Sequence, residues 1–415
     1  SDVTNAKITE LKIKIRELRD NSQNSQNSQL NLASIVHANF ISTNAAFDLI
    51  GLTNMRNDPD YSFLDGSNPG YKSNPDLNKN FSIVIIDSGI WGVHEHLRDN
   101  FIGSVNMNGQ ANKNGHLLPL NKLDQNRDNI ISQSELNFGS TNFIDNKSHG
   151  THAAGISGST NPQIGVATGV DLISIKVGDD SIVWEDINEA LKWCDVNKEK
   201  YNIVCVNMSF ACCFYSESLG YIENIRNLEN KGVTVVSASG NNYFDHNKDN
   251  FKRENLGFPA ISSTIAAGSV WHDNNNNEGV YWAKGNIDYS TGVDRIISSS
   301  QRLSTADYLI FAPGGFIEST VPSSDLTKPW DNVSKKGGTS MSAAVISGCV
   351  AIMQNAAMKF GQRKLGLDEV LTIIRNTSDK IYDGDDEHTN VTPTNKTYNR
   401  INIYNAVKSI KALFA

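Results

Sequence analysis

Residues 81–87 read FSIVIID. This is a short apolar run bounded by polar residues, and it predicts a buried strand. Three further runs have the same character: DLISIKV at 171–177, IVCVNMSF at 203–210 and VTVVSAS at 233–239. Helical stretches lie between them, WEDINEALKWCDVN at 184–197 and YIENIRNLENKG at 221–232. Strands alternating with helices of this length predict βαβ units around a parallel sheet. Strands covered on both faces read as apolar runs rather than as alternations. The expected fold class is therefore α/β, a doubly wound, mainly parallel sheet with helices on both faces. Functional groups in such a sheet gather just past the carboxyl ends of the strands, and Asp87, Ser209 and Asn241 lie there.

The chain has 415 residues, of which 39% are hydrophobic. By length alone this allows roughly two to three domains or one large α/β enzyme. No run of about eighteen apolar residues stands out, so no membrane span is expected. The formal net charge is −8, from 37 basic and 45 acidic residues. With no long basic run and no aromatic–basic interleaving, a nucleic-acid partner is not expected. Residues 1–29 predict an N-terminal extension, an amphipathic helix over Val3–Asp20 followed by the polar repeat NSQNSQNSQ at 21–29. That repeat buries nothing and reads as a flexible linker. Residues 30–415 form the expected main domain, opening with a helical stretch over Leu30–Leu52. The start of the chain shows no signal-peptide core, so an export signal is expected to be absent or already removed. Of five cysteines, Cys194, Cys205 and Cys349 lie in apolar segments and read as small buried hydrophobes. Cys212 and Cys213 are neighbours, whose pairing would be strained. No disulfide framework is evident, and the compartment stays open.

Four segments carry chemistry. SHGTHAAGISG at 148–158 contains His149 and His152 at a spacing that puts both on one helix face. The pair fits either a metal site or a single base; the Glu that a zinc hydrolase of the H-E-x-x-H type requires is replaced by Gly150. KKGGTSMSAAVISGCVAIMQNA, from Lys335, places Ser340 at or near the start of a long helix of small residues. There the backbone N–H groups and the helix dipole favour a developing anion, although an N-cap serine reads the same way. Asn241 in VVSASGNN could donate to an oxyanion or form a turn, and Asp87 could cap a turn. The chain order is Asp87, His149, Ser340, the order found in subtilisin among the Ser-His-Asp enzymes.

At this point the sequence resembles the subtilases, the subtilisin-like serine proteases, from about Phe81 to Ala406. VIIDSGI (84–90) resembles the Asp motif and VHEHL (93–97) the segment that usually follows it, HGTHAAG (149–155) the His motif and GGTSMSAAVISG (337–348) the Ser motif. IGVATGVDLISIKV, VNMSF, VVSASGNN, FPA (258–260) and FAPGG (311–315) match the segments between them. The resemblance implies a serine endopeptidase with Ser340 as nucleophile, His149 as base, Asp87 orienting it and Asn241 in the oxyanion hole. His152 is then a packed helix residue. Protein or peptide substrate would add as a strand along two edges, 177–184 and Ser209–Ala211. Phe210, Ala211, Ala238, Ser239 and Gly240 would wall the pocket for the residue before the cut bond. Ala344 stands where the family usually has proline; alanine is the better helix former, so the turn is expected to survive. Asp179 and Asp180, on the first edge, would favour basic side chains upstream of the bond. The protease is expected to be monomeric and secreted or otherwise exported, with the cytoplasm as the alternative.

A second site lies in an insertion at about 116–143. DQNRDNIISQSE, from Asp124, carries oxygen-bearing side chains at positions 1, 3, 5, 9 and 12 of a loop: Asp124, Asn126, Asp128, Ser132 and Glu135. Ile130 at position 7 would offer its carbonyl. This is the spacing of an EF-hand calcium loop, with Asn129 in the place of the usual glycine. Ca2+ bound there is expected to order the insertion. Asn-X-Ser/Thr triplets, as at Asn207, are read as chance in an asparagine-rich chain.

Overall fold

The computed structural model describes residues 43–69, 80–107, 117–128, 132, 134–135, 143–211, 221–243, 255–274, 279–282, 287–323, 332–384 and 391–415. All belong to the compact unit Leu32–Ala415. The predicted extension at 1–29 lies outside the described residues, as do Cys212 and Cys213.

The apolar run at 81–87 forms β1 (Ser82–Asp87), and all six of its residues are buried. It pairs in parallel with β3 (Asp171–Lys176) on one side and β4 (Ile203–Met208) on the other. β2 (Phe101–Asn106) closes the β3 edge. Beyond β4 the sheet continues through β5 (Thr234–Ala238), β6 (Ile265–Val270) and β9 (Leu309–Pro313), all parallel. The hairpin β12 (Asp379–Asp383) and β13 (Lys396–Arg400) completes it, with β12 the one antiparallel member. The order is β12-β13-β9-β6-β5-β4-β1-β3-β2. Two small ribbons stand apart: β7 (Val280–Tyr281) with β8 (Ile287–Asp288), and β10 (Ile317–Thr320) with β11 (Val333–Lys336).

Successive side chains of a strand face opposite ways, so each strand feeds two cores. Ile83 and Ile85 join one cluster with the helices His149–Gly158 and Thr339–Gly361. Val84 and Ile86 join another with the helices Trp184–Asn197 and Tyr221–Asn230. The sheet is thus doubly wound, with helices on both faces. Because β3 and β4 lie on opposite sides of β1, the strand order turns at β1 and opens a crevice at its carboxyl end.

The helix Thr339–Gly361 is long and apolar enough to cross a membrane by length and composition, although serines interrupt its apolar run in the sequence. Its most apolar window is 94% buried. Here the helix is the central pillar of one core, buried all round as such a sequence requires. The predicted helix over Leu30–Leu52 takes a different form in its described part. A helix Thr43–Leu49 stops, and a second, Leu52–Asn57, starts after Gly51 turns left-handed at φ 76°. Arg56 of that second helix donates to the carbonyls of Pro162, Gly165 and Val166. Burial pulls its pKa down to about 10. Cys194, Cys205 and Cys349 are free and buried, as expected, and Asn207 is fully buried within the sheet, which leaves no room for a glycan.

Asp171 opens β3 at the opposite end of the sheet from Asp87. It is 4% exposed. Its Oδ1 accepts from Asn80 Nδ2 at 3.2 Å, and its buried Oδ2 has no hydrogen-bond partner among the described residues. Burial raises its pKa to about 6, against the smaller opposing effect of Asn80. A carboxyl whose folded pKa lies above its unfolded value of 3.8 holds its proton more tightly when folded. Its contribution to stability is complete below that value and is lost as the pH rises through about 6. Asp171→Asn buries no charge, so it should be more stable than the wild type at pH 7 by about 1–3 kcal/mol, with the difference gone near pH 4. Urea unfolding at the two pH values measures this; a variant less stable than wild type at pH 7 would contradict it.

Candidate active site

Asp87 ends β1, and its buried carboxylate meets a histidine 62 residues further on. His149 Nδ1 lies 2.8 Å from Asp87 Oδ1 and 3.0 Å from Oδ2. An ionised carboxylate only accepts, so Nδ1 carries the proton and the Nε2 lone pair is left as a base. Burial lowers the pKa of His149, but the charge and hydrogen bond of Asp87 outweigh it and hold the imidazole above its ordinary 6.5.

The approach of the two residues depends on the absence of a side chain at Gly150. A Cβ there would stand 2.1 Å from the carbonyl oxygen of Gly89 and 3.1 Å from Asp87 Cβ. A further carboxylate braces the contact. Buried Asp145 accepts from Ser88 Oγ, from the N–H of Lys147 and from the N–H and hydroxyl of Thr151. Ser88 Oγ in turn accepts from the Gly150 N–H at 3.0 Å. Asp145 therefore receives the first turn of the His149 helix in the way the helix dipole favours.

His152, one turn on, is fully buried and plays another part. Its Nε2 lies 2.9 Å from the Ser334 carbonyl, which only accepts, and burial depresses its pKa to about 3. It is a neutral packing residue. No group of three or more His, Cys, Asp or Glu side chains placed to hold a metal occurs among the described residues.

Ser340 is the second residue of the helix Thr339–Gly361 and is 7% exposed. Its hydroxyl donates to the Ser209 carbonyl at 2.6 Å, while Ser209 Oγ donates to the Ser340 carbonyl at 2.7 Å. In this rotamer the hydroxyl is turned to the main chain just past β4 rather than hydrogen-bonded to the His149 ring. The helix runs unbroken through Ala344.

Asn241 follows β5. Its Oδ1 accepts from both the N–H and the hydroxyl of Thr339 at 3.0 Å. The Thr339 N–H can only donate, so the carbonyl end of the carboxamide is fixed there and the amino end turns away. Gly338 leaves room for that amino end: at φ 138°, a Cβ on it would lie 3.3 Å from Asn241 Nδ2.

Ala238, Ser239 and Gly240 are buried behind Asn241, and Phe210 and Ala211 are half-buried opposite. Gln301 belongs to this group too. Its N–H donates to Gly240 O at 2.9 Å, and its carbonyl accepts from Ser239 Oγ. On the other edge, Asp179 pairs with the buried Lys176 at 2.7 Å and Asp180 with Lys147 at 2.6 Å. The two acids are therefore matched locally by two cations.

In the insertion, Glu135 is buried. Its carboxylate accepts from the N–H groups of Gln125, Asn126 and Ser132 and from the Ser132 hydroxyl. Burial would raise its pKa; these bonds outweigh burial and hold it below the ordinary carboxylate range. Asn126 and Asp128 bond each other, and Asp124 is buried nearby in sequence. Ile130 lies outside the described residues. The side chains of the described loop offer hard oxygens, a donor type that suits calcium rather than a softer metal.

A buried Asp–His pair and a helix-start serine at the carboxyl edge of a doubly wound sheet define a serine hydrolase. The profile of the subtilase family, Peptidase_S8, matches residues 78–400, and the chain belongs to that family. It is a subtilisin-like serine protease. It is 26% identical over 311 residues to the major intracellular serine protease of Bacillus subtilis, covering 72% of this chain and 76% of that protein. It is 26% identical over 313 residues to subtilisin-like protease 2 of Plasmodium falciparum, covering 73% of this chain but 19% of that protein. With subtilisin Savinase of Lederbergia lenta it shares 27% identity over 218 residues, 51% of this chain and 64% of that protein. One of these relatives is named as intracellular, so kinship fixes no compartment.

The contact at Gly150 generates a prediction. Gly150→Ala should lower the melting temperature and reduce peptide hydrolysis at least tenfold at a temperature where the variant is still folded. The added methyl must push the Gly89 turn, and Asp87 with it, away from His149; such overpacking costs about 1–3 kcal/mol. Thermal unfolding and a peptide assay measure the two effects, and unchanged values of both would contradict the reading.

Proposed function

We propose that Ser340, His149, Asp87 and Asn241 together hydrolyse peptide bonds in protein substrates. The observation that carries the reading is the Asp87–His149 hydrogen bond, which leaves His149 Nε2 unprotonated on a helix that packs against the one bearing Ser340. Ser340 rotates from Ser209 O to His149 Nε2 and attacks the scissile carbonyl as Nε2 takes its proton. Asp87 keeps the imidazole oriented and stabilises its charged form. The oxyanion lies between the Ser340 N–H and Asn241 Nδ2; the hydrogen bonds that fix Asn241 Oδ1 on Thr339 support this role. His149 then protonates the leaving amine, and water releases the acyl group by the same steps in reverse roles. Substrate runs as an added strand between the 177–184 edge and Ser209–Ala211, held by main-chain hydrogen bonds that tolerate varied sequence. The pocket formed by Phe210, Ala211, Ala238, Ser239 and Gly240 takes the side chain before the cut. Asp179 and Asp180, each paired with a lysine, add a weak, salt-sensitive preference for upstream basic residues of about 0–1 kcal/mol each.

Ser340→Ala should abolish hydrolysis with the fold intact. Asn241→Ala should lower kcat about 10²–10³-fold, the effect of losing one oxyanion donor in a subtilisin. Because the pKa of His149 is raised, kcat/KM should rise with pH through a midpoint above the ordinary 6.5 of a free histidine. Steady-state kinetics from pH 5 to 9 on a neutral peptide read all three. Residual hydrolysis by pure Ser340→Ala at the wild-type rate would sink the assignment.

Calcium is the second part of the proposal. Asp124, Asn126, Asp128, Ser132, Glu135 and the Ile130 carbonyl would hold it, and bound there it would stabilise the insertion by ligand linkage. Chelation should lower the melting temperature of the wild type and leave that of Glu135→Gln unmoved. An equal response in both would place the relevant calcium elsewhere.

A further inference from the structure

The Ser340 and His149 segments meet at a lysine that the triad does not account for. The ribbon β10–β11 clasps the start of the His149 helix. Ser319 Oγ and Thr320 Oγ1 donate to the carbonyls of His152 and Thr151, and the Ser334 carbonyl receives His152 Nε2. Lys336, the last residue of β11, donates to Ser148 Oγ at 2.8 Å. Ser148 is the residue immediately before His149, and it is in the left-handed conformation at φ 61° with no helix-capping hydrogen bond of its own. Such a conformation is costly for a residue with a Cβ, so the tether compensates at the point where it is needed. From Lys336 the chain passes through Gly337 and Gly338 directly into the helix that carries Ser340.

We propose that Lys336 is a positioning residue for the candidate base: its ammonium ties the Ser340 segment to the turn that presents His149 and sets the acid limit of the protease. This rests on the reading of His149 and Ser340 given above. The charges that face the lysine come from every element around it. Asp87 at the end of β1 and Asp145 before the His149 helix attract it, and burial lowers its pKa against them. His152 on the same helix is neutral and adds no charge. On the lysine's own ribbon, Lys335 stands opposite Glu318 in the register. Lys147 and Lys176 are occupied by Asp180 and Asp179. Asp87 and Asp145 favour the imidazolium, whereas Lys336 opposes it. A fixed cation beside a carboxylate–imidazole pair keeps the imidazole neutral to lower pH than the carboxylates alone would allow. It does so without occupying the Nδ1 or Nε2 positions.

The test is the pH profile of kcat/KM on an uncharged peptide for wild type, Lys336→Met, Lys336→Arg and Ser148→Ala, each scaled to its own alkaline plateau. Lys336→Met should move the acid midpoint up by about half a unit or more. One unit below the wild-type midpoint, this is a loss of about threefold in scaled activity. Lys336→Arg keeps the charge and should keep the midpoint. Ser148→Ala loses the tether and should lower the plateau, with a smaller change in midpoint than Lys336→Met. A midpoint for Lys336→Met equal to that of wild type overturns the proposal, as does an equal shift in Lys336→Arg. Ser340→Ala, run alongside, separates the two levels. If it is dead while Lys336→Met titrates like wild type, the triad stands and the role of Lys336 falls; if it retains hydrolysis, the triad reading itself falls.

Discussion

The contact between the Asp87 carboxylate and His149 Nδ1 is the constraint on which the rest of the cleft depends. It joins the end of the central strand to the first residue of a helix from a distant part of the chain, and both partners are buried. A buried carboxylate is tolerated only when it is hydrogen-bonded, and Asp87 is served by His149 and by the Ser88 N–H. The requirement propagates outward. Gly150 must lack a side chain for the segments to approach, Ser88 must bridge the Gly150 N–H to Asp145, and Asp145 must receive the turn of Thr151. The atoms proposed for function are thus the same ones that hold these segments together.

The Ser340 side obeys a complementary rule. Polar groups here hold one another through main chain rather than through charges. Ser340 and Ser209 exchange hydroxyl–carbonyl bonds, and Asn241 is pinned by Thr339. In the proposed role, donors held in this way avoid reorganisation at the moment charge develops. In the proposed mechanism the Ser340 hydroxyl leaves the Ser209 carbonyl for His149. Paired lysines on the opposite edge keep Asp179 and Asp180 from dominating the field of the cleft.

Much of this was legible in the sequence because it is written in local patterns. Apolar runs fed by alternating helices predicted β1, β3, β4 and β5 and the winding on both faces. The order Asp87, His149, Ser340 and the small residues around each pointed to the site. What escaped is spatial. Asp145 and Gln301 have no distinctive neighbours in sequence, and Thr339 and Lys336, although beside Ser340, take their meaning from what the fold places opposite them. Asp145 left one trace, an acid shortly before a helix start, where the dipole favours it. The helix predicted over Leu30–Leu52 was broken by Gly51, whose left-handed turn is reinforced from outside: a Cβ there would meet Asn402 and Tyr404 of the C-terminal segment. The apolar character of Thr339–Gly361 was masked by its serines, which find partners inside the core, as Ser342 and Ser347 do with the carbonyls of Ala312 and Ala343.

The account makes Ser340, His149 and Asn241 parts of one preformed receptor for a tetrahedral intermediate. A crystal structure with a peptide boronic acid tests this most directly, because boron becomes tetrahedral on bonding to a nucleophilic hydroxyl. The account predicts boron bonded to Ser340 Oγ, one boron oxygen between the Ser340 N–H and Asn241 Nδ2, and His149 still on Asp87. Boron bound to another side chain, or an adduct at Ser340 with its oxygens in solvent and Asn241 turned away, would contradict it.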